Sequence, residues 1–297
     1  MRSRGLARVQ TVQVVQRFKT YLAFIRFSHS VFALPFALTG ALLAWRTAPF
    51  SWLQVAWICV CMVSARSAAM GFNRLVDARW DALNPRTAMR ELPRGAMSVR
   101  EAAVFVLVSA VVFVYGASRL NPLCLMLSPV ALAIVFWYSL AKRYTSYTQL
   151  FLGLAMAVAP VGGWIAAGGG ASVEPWLLGL AIGLWVGGFD ILYACQDLDF
   201  DRGQGLRSIP VRFGIARSIW LSRVMHVATV LIMAALWRVA SLPSLYMAGV
   251  AIVAGLLAYE QSLVSEGDLS QVKKAFDLNG YVGIIYFAVT ALSLVIG

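Results

Sequence analysis

Long apolar runs alternate with short polar connections from one end of the chain to the other. A helix that crosses the hydrocarbon core of a bilayer needs roughly 17–25 mostly apolar residues. On that measure the pattern predicts nine membrane helices, near residues 22–45, 50–72, 99–118, 121–140, 147–167, 174–195, 220–240, 243–262 and 280–296. The breaks between them have local causes. Thr47 to Pro49, Asn121-Pro122, Gly168 to Gly170 and Ser241 to Pro243 are turn-forming stretches. Ser98, with Glu101 three residues later, has the spacing of a capping box and predicts the start of a helix.

Composition agrees with this pattern. Hydrophobic residues make up 60% of the 297 positions and charged residues only 13%, against about 45–50% and about 25% in soluble domains. No composition shift marks off a soluble unit, so residues 1–297 are expected to form a single membrane-embedded, all-α domain, with a basic segment at 1–20. That segment carries Arg2, Arg4, Arg8, Arg17 and Lys19 but lacks a short apolar core followed by a small-residue cleavage site. It predicts an amphipathic, surface-lying start rather than a removed signal peptide. Cys59, Cys61, Cys124 and Cys195 sit in or beside apolar runs with no C-x-x-C pair, and read as small packing residues.

The net charge of +12 has a pattern of its own. Nineteen of the 25 Lys and Arg residues fall on the segments 1–20, 73–100, 141–146, 196–218 and 263–279, which nine spans place on one side. Arg46, Arg119 and Arg238 alone fall on the other side. Such a bias predicts a cytoplasmic N-terminus, an outer C-terminus and a cytoplasmic (inner) membrane location. The basic residues form no single stripe and carry no aromatic-basic motif, which argues against nucleic acid as a partner and leaves the lipid bilayer.

Two polar stretches on the basic side, 73–98 and 196–218, carry candidate chemistry. The first opens with Asn73, Asp77 and Asp81; the second with Tyr193, Asp197 and Asp201. On a helix, positions four apart advance by only about 40°, so each set lines one face. Each motif therefore offers two carboxylates one turn apart at the end of a membrane helix, where like charges repel unless a cation joins them. Magnesium takes oxygen ligands and bridges a few carboxylates to phosphates, so Mg2+ and a diphosphate substrate are the expected partners. Asp77, Asp81, Asp197 and Asp201 are the candidate ligands. Arg74, Arg79, Arg86, Arg90 and Arg94 surround the first motif, Lys142 and Arg143 occupy a short connection, and Arg202 and Arg207 follow the second motif. Some of these basic residues are expected to hold diphosphate oxygens while others only set topology.

These residues resemble the UbiA superfamily of intramembrane aromatic prenyltransferases. The resemblance rests on both Asp motifs, on Asn84 to Gly95, on Lys142-Arg143 with Thr145, and on Gly205 to Gly214, and spans roughly residues 20–215. It implies nine helices around a central cavity and Mg-dependent departure of diphosphate from a polyprenyl diphosphate. An electron-rich aromatic ring then attacks the allylic carbon. Asn73 and Tyr193, one turn deeper than the Asp pairs, would meet a diphosphate oxygen or the acceptor. Arg66 lies seven residues before Asn73, and a charge inside a span is a functional candidate by default; the matching Arg of the family is associated with the carboxylate of an aromatic acid. Asp190, seven residues before Asp197, would accept a proton from, or orient, the acceptor hydroxyl. Arg26 is a third candidate inside a span, with His29 near it as a packing residue, and Asp199 lies off the common face. The stretch from Ile25 to Phe36 looks like the branch labelled 4-hydroxybenzoate polyprenyltransferase, with the naphthoate-prenylating step of menaquinone synthesis as its neighbour. A secondary transporter is the rival class, and it predicts a site near the bilayer midplane rather than carboxylates gathered at one surface.

Overall fold

The computed structural model describes residues 20–21, 23–25 and 33–296. Arg26, His29 and residues 1–19 therefore lie outside the described residues, and so does most of the first half of the first expected span. The regular secondary structure of the described residues is helical apart from an isolated bridge between Ser265 and Asp268. Its helices are α1 (Leu34–Ala44), α2 (Trp52–Leu83), α3 (Val99–Leu120), α4 (Pro122–Ala141), α5 (Thr148–Ala166), α6 (Glu174–Ala194), α7 (Leu198–Gly203), α8 (Ile209–Phe213), α9 (Ile215–Val239), α10 (Leu245–Ser262) and α11 (Val272–Ile296). Among the described residues, eight segments are long and apolar enough to cross a membrane, and α1 is a shorter apolar helix of 11 residues. Eight of the nine expected spans thus have full-length helices among the described residues, and within the expected span 22–45 the named helix is the short α1.

Several boundaries follow from side-chain chemistry. α3 opens on the expected capping box: Ser98 Oγ accepts from the Glu101 amide at 3.2 Å, and Glu101 Oε2 accepts from the Ser98 amide at 2.9 Å. α4 opens at Asn121, whose Oδ1 accepts from the Cys124 amide at 2.9 Å. α2 stops where Asn84 turns to φ −93°, ψ 118°, because the ring of Pro85 disfavours helical geometry at the residue before it.

The polar stretches are more ordered than loops. α2 runs eleven residues beyond the expected end at 72, to Leu83. Arg74, Asp77 and Asp81 all face inward there, at 4%, 4% and 6% exposure, so buried polar contacts extend the helix past its apolar run. The second stretch is also helical: a 3-10 turn at Cys195–Asp197 leads into α7, and α8 follows. The second motif is therefore broken by that turn and does not lie on one uniform helix. α11 begins at Val272 rather than near 280, with Val272, Ala275 and Asn279 buried along its inner face.

From α1 to α6 each helix packs on the next in sequence; α6 then packs on α9, α9 on α10, α10 on α11, and α11 returns to α1. The closest approaches use glycine. A Cβ at Gly163 would lie 1.9 Å from the Ala37 carbonyl oxygen, one at Gly40 would lie 2.0 Å from that of Pro160, and one at Gly153 would lie 2.2 Å from that of Gly183. Small residues that let helix backbones meet are the main packing device available where lipid removes the hydrophobic drive. The core adds Trp185, whose Nε1 donates to Asn279 Oδ1 at 2.7 Å, and a Tyr246–Tyr286 hydroxyl pair at 2.7 Å. Large apolar side chains such as Val104, Leu107, Val111 and Met126 are exposed on α3 and α4, a surface suited to lipid.

Connections expected to share a side meet there. Arg207 N donates to the Lys142 carbonyl at 2.9 Å, and Lys142 Nζ reaches Asp77 at 2.7 Å. At the opposite end, Arg46 pairs with Glu174 at 3.3 Å and donates to the Ala240 carbonyl. Adding one methyl group at the α1–α5 contact should be costly. Gly163→Ala is expected to lose about 2 kcal/mol or more in unfolding of the purified protein, whereas Gly162→Ala, which meets nothing within 4 Å, should leave the unfolding midpoint level or higher. Equal midpoints for the two variants would contradict this packing.

Candidate active site

The end of α2, the segment 84–98, the α4–α5 connection and the end of α6 with α7 enclose one cavity of about 250 Å³. Ten of the expected site residues line it, Asn73, Asp77, Asp81, Arg86, Arg90, Lys142, Asp190, Tyr193, Asp197 and Asp201, and so does Arg207 from the basic residues after the second motif. α2 supplies Asn73 and the first two carboxylates at successive turns. α6 supplies Asp190 and Tyr193, and the 3-10 turn and α7 supply Asp197 and Asp201. The two motifs thus face one another across a shared space.

Each of three carboxylates is held by a cation. Asp77 Oδ2 accepts from Lys142 Nζ at 2.7 Å and from Asn73 Nδ2 at 3.2 Å, while its Oδ1 lies 3.4 Å from Arg143 Nη2. Asp81 receives Arg90 Nη1 on both oxygens, at 2.7 and 2.8 Å. Asp197 receives Arg86 as a fork, Nε at 3.1 Å and Nη2 at 2.5 Å. The third nitrogen of Arg86 donates to the Tyr193 hydroxyl at 2.7 Å, and the guanidinium carbon lies 5.2 Å from the centre of that ring. Burial works against the charge on Arg86, but Asp197 and Tyr193 outweigh it and raise its pKa above the ordinary value. The segment 84–98 is tied down as well: Arg86 N donates to Asn84 Oδ1 at 2.9 Å, and Thr87 Oγ1 to the Asp81 carbonyl at 3.1 Å.

Two expected residues among the described ones stand apart from the lining. Arg143 reaches Asp77 from outside, donating to the Val76 carbonyl at 2.6 Å and lying over the Trp80 ring at 4.6 Å. Arg66 is set back on α2; Tyr138, which does line the cavity, lies within electrostatic reach of Arg66, Asp77 and Asp190. Arg26 is outside the described residues. Asp199 is exposed, as its place off the common face suggests.

The cavity also includes polar residues that spacing did not single out, among them Tyr138, Ser139, Thr148 and Gln149. Their only signal was proximity to Lys142-Arg143 in the chain. Gln149 is 4% exposed and accepts from the Ile209 amide at 3.2 Å, so it also anchors α8. Asn84, Thr87 and Ser208 line the cavity too and fall within the stretches that carry the family resemblance, where no role had been given them.

The pattern of the UbiA prenyltransferase family matches residues 33–288. The chain belongs to that family. A 4-hydroxybenzoate octaprenyltransferase from Vibrio parahaemolyticus is 33% identical over 220 residues, covering 74% of this chain and 77% of that one. The apo structure of a UbiA homologue from Aeropyrum pernix superposes with a TM-score of 0.83 at 36% identity, over 90% of this chain and 98% of that one. A UbiA homologue from Archaeoglobus fulgidus bound to DMAPP and Mg2+ shares the fold at 20% identity, with a TM-score of 0.73 over 92% of this chain and 99% of that one. As a UbiA member the protein is an integral membrane prenyltransferase, which sets aside the transporter reading.

The paired charges of this UbiA chain should act as couples. Asp81 is nearly buried while Arg90 is mostly covered, and removing one partner leaves the other unsatisfied. A double-mutant cycle of Asp81→Ala and Arg90→Ala, read by unfolding, is expected to show coupling of about 1 kcal/mol or more. Additive effects would mean the pair contributes nothing.

Proposed function

We propose that this UbiA protein transfers a polyprenyl group from its diphosphate to an aromatic acid, 4-hydroxybenzoate or a dihydroxynaphthoate, in the making of ubiquinone or menaquinone. The observation that carries this reading is the convergence of both Asp motifs, the basic side chains Arg86, Arg90, Lys142 and Arg207, and Asp190 on one cavity at one end of an apolar bundle. The relatives named 4-hydroxybenzoate octaprenyltransferase support the choice of acceptor class.

The donor set suits magnesium. Asp77, Asp81, Asp197 and Asp201 offer oxygen only, and among the described residues no three acidic, His or Cys side chains converge into an all-protein metal cage. Magnesium is characteristically held by one or two carboxylates together with substrate phosphates and water, and the Archaeoglobus fulgidus homologue holds DMAPP and Mg2+ together. Bound there, the ion would neutralise charge on the departing diphosphate. Asn73, Tyr193, Arg86, Arg90, Lys142 and Arg143 supply donors for diphosphate oxygens.

In the reaction the allylic C–O bond breaks, diphosphate leaves with the electron pair, a ring carbon bonds the allylic carbon, and the ring then loses a proton. Asp190, deeper on α6, accepts a proton from or orients the acceptor hydroxyl. Arg66 balances the acceptor carboxylate, and Arg26, outside the described residues, is a further substrate-binding candidate. At about 250 Å³ the cavity is smaller than the roughly 300–1,000 Å³ of sites that enclose a drug-sized ligand. It fits the reacting ends, and the polyprenyl tail lies along the lipid-facing helices. The charge bias supports a site on the cytoplasmic face of the inner membrane.

Purified protein supplied with a polyprenyl diphosphate, Mg2+ and each acid in turn should form product with one of them, and chelation should abolish it. No product with either acid would overturn the proposal. Arg66→Ala is expected to raise the acceptor KM by about tenfold or more with a smaller change in kcat; an unchanged KM would remove Arg66 from the carboxylate role.

A further inference from the structure

Three of the four carboxylates that a divalent ion would use already have ion-pair partners. Both oxygens of Asp197 are taken by the Arg86 fork, both of Asp81 by Arg90, and those of Asp77 by Lys142 and Arg143. Four carboxylates and four cations nearly cancel. A divalent ion entering alone must strip a guanidinium from a partly buried carboxylate and leave it beside a new positive charge, which a low-dielectric site opposes. A diphosphate changes that balance. The planar guanidinium fork matches phosphate oxygens as well as it matches a carboxylate, and the diphosphate brings the negative charge that the metal needs.

We infer that Arg86 is an exchangeable counter-ion: it holds Asp197 until a diphosphate draws it away, so the divalent ion binds together with the diphosphate and not ahead of it. This rests on the reading of the Asp motifs as the metal-diphosphate site. Arg86 suits the role better than Lys142 or Arg143. It grips its carboxylate as a fork, its side chain is 36% exposed against 28% and 22% for the other two, and it has the cavity on one side. Its release also frees the Tyr193 hydroxyl, which its third nitrogen holds at 2.7 Å. One movement therefore uncovers a carboxylate and a hydroxyl together. Arg90 makes the same exchange at Asp81, where a single nitrogen spans both oxygens.

The test is metal binding without turnover. Mn2+ replaces Mg2+ as a paramagnetic probe, and its bound fraction on the full-length purified protein is read by electron paramagnetic resonance. Titrations are run with and without an unreactive prenyl thiolodiphosphate, and protein-free titrations correct for Mn2+ held by that analogue. The wild type should bind Mn2+ at least about tenfold more tightly when the analogue is present, a coupling of ordinary allosteric size. Arg86→Gln should bind Mn2+ alone about tenfold more tightly than the wild type and show a smaller gain on adding the analogue. Should Arg86→Gln not fold, Arg90→Gln reads the same exchange at Asp81, with the same direction expected. Mn2+ affinity that ignores both the analogue and the substitution would overturn the exchange while leaving the metal site standing. Protein that binds no Mn2+ under either condition would overturn the metal reading beneath it.

Discussion

The arrangement of this protein depends on neutralising carboxylates at the end of an apolar bundle. Asp77 and Asp81 are almost fully buried, and unpaired charges in such a place would either lose their ionisation or destabilise the helices that carry them. Arg90 reaches Asp81 from one connection, and Lys142 and Arg143 reach Asp77 from another, while Arg86 pairs with Asp197. The same contacts explain why α2 continues to Leu83 and why the segment 84–98 folds back over the cavity. Ion pairing is thus what turns two polar stretches into the wall of a site.

That wall needs a rigid frame. α6 carries Asp190 and Tyr193, and it is fixed on one side by the Gly153–Gly183 approach to α5 and on the other by Trp185 bound to Asn279 of α11. α5 is in turn locked to α1 through Gly40 and Gly163. Close backbone contact in the apolar part therefore sets where the carboxylates stand at the polar end. In the proposed reaction, an electrophilic carbon formed there would be flanked by the surrounding helices, which fits chemistry that water would intercept.

Much of this was legible in the chain because apolar length and charge offsets are direct physical signals. The helix positions, the Ser98–Glu101 cap and the ten expected site residues in the cavity all came from such signals. What escaped depended on three-dimensional contact. Hydropathy could not show that α2 outlasts its apolar run, because the pairing of Asp77 with Lys142 joins residues far apart in sequence. The 3-10 turn at Cys195–Asp197 breaks the regular offset that the second motif suggests. Tyr138, Ser139 and Gln149 have no charge and no repeat spacing, so only the approach of α4 and α5 to the motifs brings them into the cavity. Arg66 had the opposite fate: its charge was conspicuous, yet it is not among the residues that line the cavity.

The central claim is that two separate motifs form one diphosphate site. The most direct measurement is the single-turnover rate of prenyl transfer for Asp77→Ala, Asp197→Ala and the double variant under saturating Mg2+ and prenyl diphosphate. If the motifs act as one unit, each single substitution should slow transfer by about 100-fold or more, and the double variant should lose little beyond either one. Undiminished transfer after either single substitution, or losses that multiply in the double variant, would contradict the account.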